Sequence, residues 1–293
     1  MPGYPLVVDD PREYPPGFDG RVFVWDLDKT YLATGFSSLP GLARIPIELA
    51  VDKRAIPGMA PLLRGLRRGP GPGFACAPLY FVSASPPQLK GVVARKMQLD
   101  GVEADGLIFK DWVGALRGLR PGRLREQVGF KVCALLTGRL RRPLSREVLF
   151  GDDVEADALA YSLYAALLAA PDDRGAADRA LAAAGVRVDD RRAAVELLQR
   201  LQPPLGRVER VFIHLERRSP PEAFAALAPL VVPVEGAAQL GPLLFHLGLI
   251  DAGAARAALD EVRVALGDAE VRARLARLVG RGLVPGALVT ALT

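Results

Sequence analysis

The stretch Arg21-Val-Phe-Val-Trp-Asp26-Leu-Asp28-Lys-Thr30 decides the fold of this chain. It opens with a short apolar run rich in β-forming residues, which is typical of a buried strand. Asp26 and Asp28 then leave the strand on one side, because residues two apart on a strand point the same way. Ligands bind at this carboxyl end of the strands in open parallel α/β sheets. Two carboxylates this close repel each other unless a cation, a shared proton or hydrogen-bond donors are present. The stretch therefore predicts a functional site; the alternative is an acidic turn after a strand.

The composition allows one large domain or two small ones, since half of the 293 residues are apolar. Cys76 and Cys133 stand beside apolar runs and are expected to be buried thiols rather than a disulfide or a metal site. The amino terminus lacks a signal-peptide pattern, and no apolar run approaches the roughly 20 residues of a membrane span, so we expect a cytoplasmic protein. The formal net charge of +5 is a weak indication of anionic partners.

Strands and helices alternate along the first half of the chain. This alternation predicts a parallel sheet with helices on both faces. Right-handed crossovers would bring the carboxyl ends of all its strands to one edge. The predicted strands are 21–26, 79–82, 106–109, 147–150, 210–215 and 230–234, and the predicted helices are one after residue 56, then about 87–98, 128–140, 153–164, 236–248, 254–266 and 270–279.

Three regions are predicted around and within this α/β domain. Residues 1–20 are rich in proline and are expected to form an irregular arm. The domain itself is expected to span 21–250, with 31–78 as a small insert after the first strand. Residues 251–293 are expected to form a C-terminal helical extension, because leucine and valine recur there at helical spacing.

Further polar residues mark the predicted strand ends and one helix start. Ser83 follows the second strand, Lys131 stands near the start of the helix predicted at 128–140, and Asp152 follows the fourth strand together with Asp153 and Asp157. Each has an ordinary alternative explanation, because such residues also serve as turn residues, solvated lysines or helix N-caps.

The order of these residues resembles the haloacid dehalogenase (HAD) superfamily of phosphatases. The resemblance covers roughly residues 21–165 and extends more loosely to about 250. It implies a three-layer α/β/α Rossmannoid fold with a parallel sheet. It also implies Mg²⁺-dependent hydrolysis of phosphomonoesters through an aspartyl-phosphate, a chemistry that depends on positioning and charge neutralisation.

The resemblance assigns roles to the residues in this order. Asp26 would be the nucleophile, and Asp28 would protonate the leaving oxygen and then activate water. Ser83 would bind the phosphoryl oxygens, and Lys131 would neutralise the aspartyl-phosphate. The wider substrate-binding set is expected to be Thr30, Ser83, Ala84 and Lys110.

The resemblance also implies a set of oxygen ligands for Mg²⁺. Asp26 and Asp152 would contribute carboxylates, and Asp28 would contribute its backbone carbonyl. Asp157 is favoured as the further acidic partner, because it stands at the spacing GDxxxxD with Asp152. Asp153 is the alternative, or it caps the following helix.

A narrower resemblance concerns the substrate. Five segments resemble, in order, the phosphatase domain of the fungal actin-patch phosphatidate phosphatases, to which the lipins are more distantly similar. That family implies conversion of phosphatidate to diacylglycerol. Two positions depart from the pattern: Phe130 stands where a histidine is expected, and Lys29 replaces a small or acidic residue. The segments are Ile56–Ala60, Tyr80–Leu89, Leu107–Trp112, Phe130-Lys131 and Gly151–Tyr161.

A basic stretch between the third and fourth strands bears on the choice of partner. It is either a solvated surface or a patch for an anionic headgroup at a membrane surface. For the second case we predict Arg139, Arg141 and Arg142 on the same side of the molecule as Asp26. The members of the stretch are Arg117, Arg120, Arg123, Arg125, Lys131, Arg139, Arg141, Arg142 and Arg146, and the apolar residues expected to assist them are Phe36, Leu39 and Leu42.

Three functions therefore stay open. The first is a phosphatidate phosphatase in peripheral contact with the inner membrane surface. The second is a phosphatase acting on a soluble phosphorylated small molecule, and the third is a catalytically weak scaffold. No nucleic-acid partner is expected, and the sequence does not predict the oligomeric state.

Overall fold

The computed structural model describes residues 6–33, 54–111 and 123–293. Within these residues seven strands form one sheet, and helices cover both of its faces. The strands are β1 (Leu6–Asp9), β2 (Arg21–Asp26), β3 (Leu79–Ser83), β4 (Gly106–Lys110), β5 (Arg146–Asp152), β6 (Val208–His214) and β7 (Val231–Val234). The α-helices are α1 (Met59–Arg68), α2 (Lys90–Leu99), α3 (Arg123–Arg141), α4 (Asp157–Ala169), α5 (Arg174–Ala183), α6 (Val188–Arg200), α7 (Ala237–His246), α8 (Ala252–Leu266), α9 (Asp268–Gly280) and α10 (Gly286–Leu292).

The sheet has the strand order β1-β4-β3-β2-β5-β6-β7. Every pairing is parallel except that of β1, which runs antiparallel to β4 at one edge. The expected three-layer α/β/α architecture with a mostly parallel sheet is therefore confirmed. β2 lies at the centre, with β3 and β5 as its neighbours, so the carboxyl ends of these three strands meet at one point of the sheet edge.

Strand β2 divides the apolar core into two halves. Phe23 and Trp25 pack on the face covered by α1, α2 and α7–α10. Val22 and Val24 pack on the face covered by α3–α6. The alternation follows from the two-residue period of a strand. Because both faces of β2 are buried, its register is fixed, and Asp26 is held at its carboxyl end.

Several element boundaries differ from the sequence prediction. Residues 6–9, expected within an irregular arm, form the edge strand β1, whose pairing partner β4 would otherwise expose its backbone groups. Helix α3 begins at Arg123, so Lys131 lies well inside it rather than near its start. Helix α4 begins at Asp157, after a turn over 153–156. The C-terminal region contains the helix α10 in addition to the two expected.

Two further expectations concern the regions around the domain. Residues 34–53 of the insert predicted at 31–78 lie outside the described residues, and they include Phe36, Leu39 and Leu42. Helices α8 and α9 contribute to the same apolar core as α1 and α7. In the part of the chain that the structure describes, no helix is both long and apolar enough to cross a membrane.

Candidate active site

The carboxyl edge of the sheet brings the predicted catalytic residues together. Asp26 ends β2, Ser83 ends β3 and Asp152 ends β5. Lys131 reaches the same point from α3, and Asp157 is the first residue of α4. All five side chains are buried, each with 2% exposure or less. Burying so many ionisable groups in one place is unfavourable unless they interact with one another or with a ligand.

Three carboxylates form a group that fits a metal ion. Asp26, Asp152 and Asp157 each place a carboxylate oxygen within 4.8 Å of the others. Both oxygens of Asp26 and Oδ2 of Asp152 are buried without a hydrogen-bond partner in the structure. Carboxylate oxygens are the protein ligands that Mg²⁺ prefers, and it binds few of them. The predicted closeness of Asp26 and Asp152 is confirmed, and the donor set fits Mg²⁺.

Burial and mutual repulsion also raise the pKa values of these carboxylates. Burial raises the pKa of Asp26 well above its ordinary range; the charge of Lys131 acts in the opposite direction, and the neighbouring carboxylates raise the pKa further. Burial, followed by the charge of Asp157, raises the pKa of Asp152 to about 8. A bound divalent cation would hold both groups in the ionised form, because an opposite charge favours ionisation.

The turn after β5 sets the position of Asp157. Asp152 Oδ1 accepts hydrogen bonds from the backbone N–H groups of Val154 (2.6 Å) and Glu155 (2.8 Å), which turns the chain toward α4. Asp157 Oδ2 accepts the N–H of Asp152 at 3.0 Å. A Cβ at Gly151 would lie 2.3 Å from that same Oδ2. The glycine of the GDxxxxD segment is therefore required for the close approach of Asp157.

Lys131 supplies the positive charge inside the site. Its Nζ lies 2.8 Å from Asp26 Oδ1 and 2.7 Å from Glu155 Oε2, and it contacts Asp157 Oδ1. The contact with Asp26 does not have hydrogen-bond geometry. Lys131 therefore attracts Asp26 by charge alone, and the oxygens of Asp26 are free to bind a ligand. Burial alone would lower the pKa of Lys131, but the three carboxylates outweigh it and raise that pKa. The lysine therefore stays protonated.

Asp28 lies in a different environment from Asp26. Its Oδ2 accepts hydrogen bonds from Ser85 Oγ (2.6 Å) and Ser83 Oγ (3.2 Å). Burial raises its pKa to about 6, although these two hydrogen bonds act in the opposite direction. A carboxyl group with such a pKa exchanges a proton near neutral pH, which suits an acid and base catalyst.

Two residues of this site were missed from the sequence. Ser85 binds Asp28, and its signal is a second serine two residues after Ser83. Glu155 binds Lys131 and also accepts a hydrogen bond from Gln127 Nε2 at 3.2 Å. Its signal is an acidic residue three positions after Asp152, within the turn that precedes α4.

The other predicted site residues are placed as follows. Thr30, two residues after Asp28, is buried, and its Oγ1 has no hydrogen-bond partner. Ala84 follows Ser83, and Lys110 ends β4 at the same edge of the sheet. Their roles in substrate binding remain predictions. Asp153 does not join the carboxylate group or cap α4; its two oxygens accept the N–H groups of Arg217 and Ser219.

The predicted placement of three arginines on the side of Asp26 is wrong. Arg139 is fully buried and binds Glu147, near the amino end of β5, whereas Asp152 ends that strand. Arg141 and Arg142 both lie within 4 Å of Asp10, which follows β1. The cause is the length of α3, since residues eight or more positions beyond Lys131 lie at least about 12 Å further along the helix.

Comparisons with known proteins add little to this geometry. No protein family profile matches the chain, and no curated protein matches it. Among solved structures, it is similar to one from Mesorhizobium loti that is provisionally described as a HAD-like phosphatase. The two share 16% sequence identity with a TM-score of 0.34, over 72% of this chain and 99% of the other. A TM-score this low carries no argument about activity, so the function must be argued from the site itself.

Proposed function

We propose that the protein is a Mg²⁺-dependent phosphomonoester hydrolase that works through an aspartyl-phosphate on Asp26. The observation that carries the proposal is the contrast between Asp26, which ends β2, and Asp28, two residues later. The carboxylate oxygens of Asp26 have no hydrogen-bond partner and lie beside the buried Lys131. Asp28 has a pKa of about 6 and accepts hydrogen bonds from two serine hydroxyl groups. The first arrangement suits a nucleophile and the second suits a proton carrier.

The residues would act in two steps. In the first, an oxygen of Asp26 attacks phosphorus, the bond to the leaving oxygen breaks, and Asp28 donates its proton to that oxygen. In the second, Asp28 takes a proton from water, the resulting hydroxide attacks phosphorus, and phosphate leaves while Asp26 is regenerated. Lys131 stabilises the negative charge around Asp26 throughout. Mg²⁺, held by Asp26, Asp152 and Asp157, would supply further charge neutralisation.

The substrate expected from this site is a soluble phosphomonoester rather than phosphatidate. The family resemblance favours phosphatidate, but the arginines that supported a membrane surface bind acidic partners elsewhere. Arg139 is 0% exposed and Arg142 is 3% exposed. A charge contributes to membrane binding only when it lies near the lipid surface, so these two cannot form the expected patch.

A screen of phosphate release tests the proposed function. We expect soluble esters such as p-nitrophenyl phosphate and glycerol 3-phosphate to be hydrolysed with Mg²⁺ and not with EDTA. We also expect little hydrolysis of phosphatidate vesicles. Hydrolysis of vesicles alone, falling as salt rises, would favour the lipid substrate. No release from any ester would leave the catalytically weak scaffold as the better account.

The pH dependence tests the role of Asp28. The first step needs protonated Asp28, and its pKa is raised from 3.8 to about 6. We therefore expect kcat/KM to fall as pH rises past about 6. Asp28→Asn should lower turnover by roughly 10²–10⁴-fold and abolish this decline.

Ser85→Ala is the matched variant for this test. Its hydroxyl favours the ionised form of Asp28, so its removal should raise the pKa of Asp28. The decline in kcat/KM should then shift to higher pH. A decline that persists in Asp28→Asn, or that does not move in Ser85→Ala, means that another group titrates.

A further inference from the structure

A cleft of about 850 Å³ opens beside the carboxyl ends of β6 and β7. This volume lies in the range of small-molecule sites, roughly 300–1,000 Å³. His214, the last residue of β6, lines the cleft, and its Nδ1 lies 2.9 Å from the backbone carbonyl oxygen of Lys29. Lys29 directly follows Asp28 in the chain. The cleft therefore adjoins the turn that follows Asp28.

Asp153 fixes the loop at one side of this cleft. Its Oδ1 accepts the N–H of Arg217 at 2.7 Å, and its Oδ2 accepts the N–H of Ser219 at 3.1 Å. The intervening residue, Arg218, donates its own N–H to the carbonyl of Leu215 at 3.2 Å and has a left-handed φ of 59°. The residue next to Asp152 thus holds Arg218 at the cleft.

Arg218 differs from the other two arginines of the cleft. Arg274 donates hydrogen bonds to the carboxylate of Glu270 and the carbonyl of Glu235, and Arg277 donates to the carboxylate of Glu235. The exposed guanidinium of Arg218 makes no hydrogen bond or ion pair with any residue that the structure describes. The pKa of Glu270 is lowered first by the bond from Arg274 and more weakly by charges that include Arg218. Arg218 thus lines the cleft with its guanidinium donors free of hydrogen bonds to the described residues.

We propose that this cleft holds the leaving group of the substrate and that Arg218 binds a second anionic group on it. The proposal rests on the phosphatase activity proposed above. The leaving group would be a small polar molecule with a carboxylate or a second phosphate, because guanidinium binds both through paired N–H donors. Ile56, Val262 and Leu266 also line the cleft and suit its carbon skeleton.

Pairs of esters that differ in one anionic group test the proposal. The first pair is 3-phosphoglycerate and glycerol 3-phosphate, which tests a carboxylate. The second is fructose 1,6-bisphosphate and fructose 6-phosphate, which tests a second phosphate. In the wild type we expect kcat/KM to be roughly 10- to 100-fold higher for the ester that carries the additional anionic group, in at least one pair. This is the size expected for a charge-assisted hydrogen bond. Arg218→Gln should remove most of that ratio.

Arg217→Gln is the matched control, since it removes the same charge from the neighbouring exposed residue outside the cleft lining. It should keep the ratio. An unchanged ratio in Arg218→Gln, or an equal loss in Arg217→Gln, overturns the proposal. Glu216 also lines the cleft, so a preference for the cationic ester phosphoethanolamine overturns it as well.

A binding measurement on a catalytically inactive variant tests the Arg218 subsite independently of hydrolysis. If the wild type hydrolyses none of these esters, the proposed phosphatase function fails. Calorimetric titration of the Asp26→Asn variant with 3-phosphoglycerate and fructose 1,6-bisphosphate then decides the subsite. Binding that weakens roughly tenfold on adding Arg218→Gln supports it. Binding that is absent or unaffected by Arg218→Gln overturns it.

Discussion

Asp26→Asn is expected to lower phosphate release by about 10⁴-fold or more, because an amide oxygen cannot replace the attacking carboxylate. The substitution should not lower the thermal stability of the metal-free protein. Asp26 is a buried carboxylate whose pKa is raised by burial and by its acidic neighbours, and a neutral amide of similar volume removes that unfavourable charge. Loss of activity without loss of stability would show that Asp26 is needed for catalysis and not for folding.

Trapping of the phosphorylated enzyme measures the covalent step directly. Acid quenching with radiolabelled p-nitrophenyl phosphate should give a hydroxylamine-sensitive label in the wild type and none in Asp26→Asn. Asp28→Asn should accumulate the label, because nitrophenolate leaves without an acid but hydrolysis still needs a base. Asp178→Asn, which removes an exposed carboxylate on α5, should behave like the wild type. Labelling of Asp26→Asn, or equal residual activity in Asp26→Asn and Asp28→Asn, would show that the roles are wrongly assigned.

The strands and the residues at their ends could be predicted because their signals are local. The run Val22–Trp25 is apolar at every position, which fits a strand buried on both faces. Parallel topology then brings strand ends together without any knowledge of the packing. Asp26, Ser83 and Asp152 followed from that rule alone. Asp157 followed from the GDxxxxD spacing of the HAD phosphatases that the chain resembles, and the structure explains that spacing through the close approach of Asp157 to Gly151.

The environment of the charged residues could not be predicted, because it depends on residues far apart in the chain. Arginine is usually a surface residue, yet Arg139 is buried. Its guanidinium donates hydrogen bonds to Tyr164, Glu147 and the backbone carbonyl of Ser145. The start of α3 was placed too late, because residues 123–127 contain a single apolar residue, Leu124, and so show no apolar periodicity. β1 pairs with the open edge of β4. The run Leu6–Val8 favours a strand, but three apolar residues in a proline-rich region are too few to predict one.

Lys131→Met is expected to destabilise the metal-free protein by about 3–5 kcal/mol, the usual effect of removing one partner from a buried ion pair. Lys131 is 0% exposed and lies among Asp26, Glu155 and Asp157. Without it these carboxylates are left with no buried cation. Mg²⁺ should then bind more tightly than in the wild type. At 100 times its Kd, the ion would restore about 2.7 kcal/mol. Activity should stay low even with Mg²⁺, because the positive charge beside Asp26 is missing.

Arg139→Met is the matched control for this prediction. It also removes a fully buried cation from a carboxylate, Glu147, but near the amino end of β5. A loss of similar size is expected, with the same gain from Mg²⁺ as in the wild type, because the ligands Asp26, Asp152 and Asp157 are unchanged. Urea unfolding with Mg²⁺ or EDTA measures both variants and the wild type. An equal gain from Mg²⁺ in the two variants would mean that Lys131 does not oppose binding of the ion. No gain in Lys131→Met would mean that the group formed by Asp26, Asp152 and Asp157 does not bind Mg²⁺.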